Sequence, residues 1–258
     1  MLLITLLNSL FIESAFTREL LTIQDSGYIR IGTTGDYPPL TDRGRNDNYK
    51  GFAIDMAHSL GRYLSQKSSR KIEVQFVQTY WSGLHKELEK DHFDIAMGGI
   101  TRTPARAEQF LLSSNVTASG KVALIRKEHY LKVKGLNDQE LITTLNNPGF
   151  RLVENPGGTN ILFARKHLPN TQLMVTADNK EPFLMLRENK ADLMITDLIE
   201  ARYTIQNESE LTIANEATFT ETRSHKVYMM QKSNQSLLKA VNEWLSKEDI
   251  RSIQNRWF

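Results

Sequence analysis

Alternating apolar and polar positions over residues 28–34 (YIRIGTT), rich in β-branched side chains, predict a first strand that ends in the turn Gly35-Asp36-Tyr37-Pro38-Pro39. Apolar residues at Phe52, Met56, Leu60 and Leu64 recur at helical spacing and predict a helix over residues 51–64. A second strand follows at 72–77, a short helix around 84–88 and a third strand at 93–97. Strand alternating with helix predicts parallel α/β architecture.

The second half repeats this syntax. Residues 88–101 (LEKDHFDIAMGGIT) can be laid on residues 186–199 (LRENKADLMITDLI), Leu88 on Leu186 and Asp94 on Asp192, each Asp opening a short apolar strand. The repeat predicts two similar lobes, each presenting strand C-termini to a shared ligand cleft. Residues 121–127 (KVALIRK) and 225–232 (HKVYMMQK) are apolar strands with basic flanks and predict a two-strand hinge. Residues 28–122 and 226–258 would then form lobe 1, closed by an amphipathic helical segment from 237 to 258, and residues 123–225 lobe 2. Residues 132–148 read as loop and helix without a strong signal.

The apolar run Met1 to Ile12 stands apart. It is too short to span a bilayer, and no later stretch approaches the roughly 20 apolar residues a span needs. Followed by Ala15, it predicts a signal peptide over residues 1–17 and export to the periplasm, although no Lys or Arg precedes it. Asn8 and Ser9 break the amphipathic pattern that an ordinary core helix would show. Composition narrows the function. Lys+Arg 32 against Asp+Glu 30 is too balanced for a nucleic-acid binder, and zero Cys excludes thiolate sites and cysteine nucleophiles. Six scattered His without a His-x-x-x-His pattern give no zinc signature.

Three segments carry candidate chemistry. Thr103 followed by Pro104 reads as a helix start, which puts Arg106 in the first turn, where the helix dipole disfavours a cation. Arg106 is either a solvated arginine or, with the free N–H groups, a carboxylate holder. Residues 155–160 (NPGGTN) join a strand at 151–153 to a helix at 161–168, with Thr159 or Asn160 as N-cap; Gly157 and Gly158 let backbone amides approach a ligand. Asp197 and Glu200 follow the strand 193–195. They form either a capping box or a pair of carboxylates at the cleft mouth, Asp197 meeting an amine and a desolvated Glu200 donating a proton. Trp81 and Tyr37, each in a polar loop, are core plugs or ligand platforms.

Taken together, these segments resemble the extracellular solute-binding proteins that serve polar amino-acid transporters, from about Tyr28 to the C-terminus. The resemblance implies the two-lobed periplasmic binding protein-like fold, with Tyr37 and Trp81 flanking the ligand, Thr101 and Arg106 on its α-carboxylate and Asp197 on its amine. Residues 32–37, 93–97, 155–160, 190–194 and 197–202 look more like one enzymatic branch, the periplasmic cyclohexadienyl dehydratases. There, Glu200 corresponds to the proposed general acid, Asn160 helps hold the substrate with the Gly158-Thr159 turn, and Lys121 matches a basic position near the pocket. The resemblance implies a lyase that converts prephenate to phenylpyruvate, or arogenate to phenylalanine, without metal or organic cofactor. Residues 99–108 are closer to the general binding-protein version, and Leu40 stands where a phenylalanine is common. The alternative is therefore a receptor delivering an amino acid or related carboxylate to an ABC transporter permease. A small-molecule carboxylate is the partner under both, and the oligomeric state stays open.

Overall fold

A computed structural model describes residues 18–258; the predicted signal peptide lies outside the described residues. Two sheets organise the chain. The first has the order Glu73–Gln78, Tyr28–Thr33, Ile95–Thr101, Ser224–Gln231, Phe110–Leu112, with Thr117–Ser119 also paired to Ser224–Gln231. The second has the order Gln172–Val175, Arg151–Glu154, Leu193–Asp197, Lys121–Arg126, Leu211–Ile213. In each, the first three strands are parallel, as the strand–helix alternation predicts. The remaining strands run antiparallel, so the sheets are mixed. Of these, Lys121–Arg126 enters the second lobe from the first and Ser224–Gln231 returns from the second to the first.

The strand predicted at 93–97 begins two residues later, at Ile95, because Asp94 is used otherwise. Its carboxylate accepts the Arg30 backbone N–H (2.7 Å) and the Arg30 guanidinium, while its own N–H donates to the Arg30 carbonyl. Asp192 repeats this device with Arg151 (2.8 Å from the backbone N–H). The internal repeat seen in the sequence is thus a shared clamp at the base of each sheet, opposite the cleft.

Separate apolar cores stabilise the lobes. Ile29, Ile31, Met56, Leu60 and Trp244 are among the buried side chains of the first, where the helices Phe52–Ser68 and Gln235–Leu245 pack. Both faces of the second sheet are covered, one by a core with Leu152, Phe163 and Ile195, the other by Val153, Phe183 and Met194. This alternation of faces is what a fully buried strand shows. The C-terminal segment is two helices, Gln235–Leu245 and Ile250–Gln254. The chain crosses between lobes just before each predicted hinge strand, at Gly120 and over 220–223. There Phe219 N–H bonds the Lys121 carbonyl and Lys121 N–H bonds Thr222 Oγ1. The lobes therefore share a paired two-segment hinge.

Candidate functional site

The strand ends of both sheets converge on a narrow interlobe cleft. Eight of the ten sequence-predicted residues line it: Tyr37, Trp81, Thr101, Arg106, Gly158, Thr159, Asn160 and Asp197. Lys121 and Glu200 stand directly behind that lining. Asn155, Asn179 and Lys226 complete much of the wall.

From the first lobe, Thr103 caps the helix Pro104–Gln109 by accepting the Arg106 N–H, as the Thr-Pro pair predicts. Arg106 is buried rather than solvated, at 8% exposure. One of its nitrogens donates to the Thr101 carbonyl (2.7 Å), and no carboxylate pairs with it among the described residues. Burial lowers its pKa, with Asp197 opposing. A desolvated guanidinium without a counter-ion is a ready carboxylate site. Tyr37 and Trp81 meet edge to face at 5.6 Å, and the Trp81 indole donates to Asp36. Gly99, at φ +99°, lies under the Tyr37 ring; a Cβ there would come within 2.4 Å of it.

From the second lobe, the helix Gly158–His167 begins earlier than predicted, and its N-cap is Gly157, not Thr159 or Asn160. Both predicted caps are instead engaged by Lys121, whose ammonium donates to Thr159 Oγ1 (2.7 Å) and Asn160 Oδ1. No side chain caps this helix, so its first amides remain available to an anion. Gly157, at φ +80°, lets this turn approach the backbone of Trp81 and Ser82, which a Cβ would meet at 3.2–3.3 Å.

Of the two readings of Asp197 and Glu200, the capping box does not form. Asp197 occupies the N-cap position of the helix Leu198–Ile205, but its side chain makes no cap bond. It accepts from Lys226 Nζ (2.6 Å), from the Tyr37 hydroxyl and from Ser119 (3.1 Å), with Lys121 Nζ at 3.9 Å. Burial pushes its pKa up, but Lys226 and Lys121 outweigh this and hold it well below the ordinary carboxylate range. Glu200, 1% exposed, takes Thr196 Oγ1 on one oxygen and Asn179 Nδ2 (2.8 Å) on the other. Burial drives its pKa well above the ordinary value, and Asp197 and Asp36 add to this against the two hydrogen bonds. Asn179 also bonds the Asp36 carbonyl (2.9 Å), so it ties the acid to the opposite lobe.

Lys226 was missed because KVYMMQ reads as a plain hinge strand; a lysine opening a fully apolar run was the signal available. Asn179 lies in the polar loop TADNKE, which carries no signal. Among the described residues, Glu128, His129 and Asp192 place ligand atoms within 4.8 Å of one another. Asp192 is already bound by Arg151, so this group reads as part of the clamp.

The sequence profile of bacterial extracellular solute-binding proteins, family 3, matches residues 29–258. The chain is 33% identical over 226 residues to the cyclohexadienyl dehydratase of Pseudomonas aeruginosa, covering 86% of this chain and 78% of that protein. It is 22% identical over 240 residues to the L-cystine-binding protein TcyJ of Escherichia coli, 92% and 84% of the two chains. The crystal structure of the ancestral amino acid-binding protein AncCDT-1, a precursor of cyclohexadienyl dehydratase, superposes with a TM-score of 0.81 at 29% identity, covering 93% of this chain and 98% of that one. No helix among the described residues is long and apolar enough to cross a membrane.

Proposed function

The chain belongs to the bacterial extracellular solute-binding proteins, family 3, and within that family we propose that it is a periplasmic lyase of the cyclohexadienyl dehydratase type, acting on prephenate with Glu200 as general acid. The observation that carries this reading is the setting of Glu200. Its carboxyl does not cap the helix it stands on; it is buried behind the cleft lining, where burial raises its pKa and shifts it toward the protonated form.

The charges fit a ligand with two carboxylates and no amine. Arg106 and the uncapped start of the helix Gly158–His167 both line the cleft, the latter backed by Lys121, and we read them as two anchors for carboxylates. An amino acid's ammonium would be expected on Asp197, but the Lys226 ammonium already occupies that carboxylate. This favours prephenate over arogenate. In the reaction, the ring carboxylate leaves as carbon dioxide, and its electron pair enters the ring as the C–O bond of the ring hydroxyl breaks. Glu200 gives its proton to the departing oxygen, which leaves as water, and solvent reprotonates the carboxylate afterwards. The substrate hydroxyl reaches Glu200 by taking the place of the Asn179 amide. Aromatisation supplies the driving force; lobe closure excludes water and keeps the acid protonated.

A second reading, an amino-acid receptor for an ABC transporter permease, is favoured by the Asp197 carboxylate itself, which a ligand ammonium would take by displacing Lys226. Incubating the purified protein with prephenate and following phenylpyruvate, beside calorimetric titration with amino acids, separates the two. Turnover supports the lyase. Saturable amino-acid binding without turnover overturns it.

A further inference from the structure

Glu154 ends the strand Arg151–Glu154, one residue before the turn that carries Asn155 and Gly157 into the cleft. It is fully buried, at 0% exposure. One oxygen accepts the Ile195 backbone N–H at 2.6 Å, standing in for a strand partner where the pairing with Leu193–Asp197 has ended. The other oxygen, Oε2, is buried and has no hydrogen-bond partner among the described residues. An unpartnered oxygen on a buried carboxyl calls for an explanation.

The sheet supplies one. Side chains alternate between its faces, and Lys121 shares the face of Ala123 and Ile125, which pack in one core with Leu152. Glu154, two residues past Leu152, shares that face too. Among the described residues, Lys121 is the charged side chain that acts on Glu154 through space. In the present arrangement the Lys121 ammonium is turned to Thr159 and Asn160, at the cleft. Glu154 therefore stands behind Lys121 as its alternative partner.

We propose that Glu154 is a positioning residue that sets how much of the Lys121 charge the cleft presents to an anionic ligand. With the Glu154 carboxyl protonated, the Lys121 ammonium stays on Thr159 and Asn160 and its charge reaches the cleft through that lining. With Glu154 ionised, a carboxylate behind Lys121 competes for the ammonium and cancels its charge. Burial pushes the Glu154 carboxyl up to about 8, against the Ile195 N–H and Lys121, which lower it. The change of state thus falls just above neutral pH. The other charged groups facing Lys121 are Asp197 on Leu193–Asp197, Lys226 on Ser224–Gln231 and Arg106 on Pro104–Gln109. None of them is a glutamate, so a Glu154 substitution isolates one contributor.

This inference rests on the dicarboxylate reading, and the test keeps the two apart. Prephenate binding is measured by calorimetry in Glu200→Gln protein, where turnover is slowed by orders of magnitude and position 200 cannot titrate. The affinity is expected to fall roughly tenfold between about pH 6.5 and 9.5, the scale of one charge-assisted hydrogen bond. Adding Glu154→Gln keeps the acceptor for Ile195 and should flatten that profile to less than about twofold. An unchanged fall in the double variant assigns the titration to Lys121 itself and overturns the proposal, as does a flat profile in the parent. Absence of prephenate binding at every pH rejects the lyase reading instead. Should the double variant not fold, carboxyl-labelled glutamate in the Glu200→Gln protein decides by NMR: a glutamate titrating near pH 8 in step with the affinity supports the proposal, and none overturns it.

Discussion

Replacing Lys226 by methionine removes one charge from the cleft and keeps the apolar stem. In the wild type its ammonium lies 2.6 Å from Asp197 and 2.9 Å from Thr101, and 5.2 Å from the centre of the Tyr37 ring. Both members of the ion pair are about 5% exposed (5% and 6%). Removing one partner of a buried pair costs about 3–5 kcal/mol because the other charge is stranded. Asp197 would retain Tyr37, Ser119 and the more distant Lys121, which places the cost near the lower limit. For a chain of this size, about 3 kcal/mol lowers Tm by roughly 6–12 °C. The ligand preference should change further. A cation about 6 Å from a carboxylate is worth about 3 kcal/mol at an effective dielectric of ~20, so prephenate should bind on the order of a hundredfold more weakly. Asp197, released from the Lys226 ammonium, should accept the ammonium of an amino acid, and micromolar-to-millimolar binding of amino acids should appear by calorimetry. A variant with unchanged Tm and unchanged ligand preference would refute the assignment of Lys226 as the cleft's internal ammonium.

Two further substitutions probe how the lobes are built and how they close. Gly157→Ala puts a Cβ against the Trp81–Ser82 backbone at a positive φ; KM for prephenate should rise about tenfold while kcat stays within about threefold, since closure and not the acid is impaired. Steady-state kinetics checks this split. Asp192→Asn breaks the second-lobe clamp, and loss of a charged hydrogen-bond partner should cost on the order of 2–3 kcal/mol in urea unfolding at neutral pH. Burial raises the Asp192 pKa, but the Arg151 bonds outweigh it and hold it at about 2. Its contribution is therefore present above the ordinary carboxylate pKa and lost as pH falls toward 2. The stability gap between wild type and variant should narrow over that acid range, and a constant gap would count against the clamp.

Much of the fold was legible because its signals are local. Period-two and helical patterns located Tyr28–Thr33 and Phe52–Ser68, and the matching Asp94 and Asp192 revealed the repeat before its clamp was visible. Cleft residues that lie beside turn or cap signals, such as Arg106 after Thr103-Pro104, were also found. What failed depends on partners distant in sequence. The capping-box spacing at Asp197 and Glu200 is real, yet Lys226, 29 residues on, and Asn179, 21 residues back, take those carboxyl groups elsewhere. Glu154 reads as the last residue of a strand, and only the sheet order shows that it is sealed beneath Lys121.

The most direct test of the account is kcat for prephenate in Glu200→Gln protein at saturating substrate. Glutamine preserves the contacts to Thr196 and Asn179 but cannot donate the proton. With Glu200 as the acid, kcat should fall by about 10²–10⁴-fold, the usual contribution of a general acid, while prephenate binding stays within about threefold. A kcat close to that of the wild type would contradict that role and remove Glu200 from the chemistry.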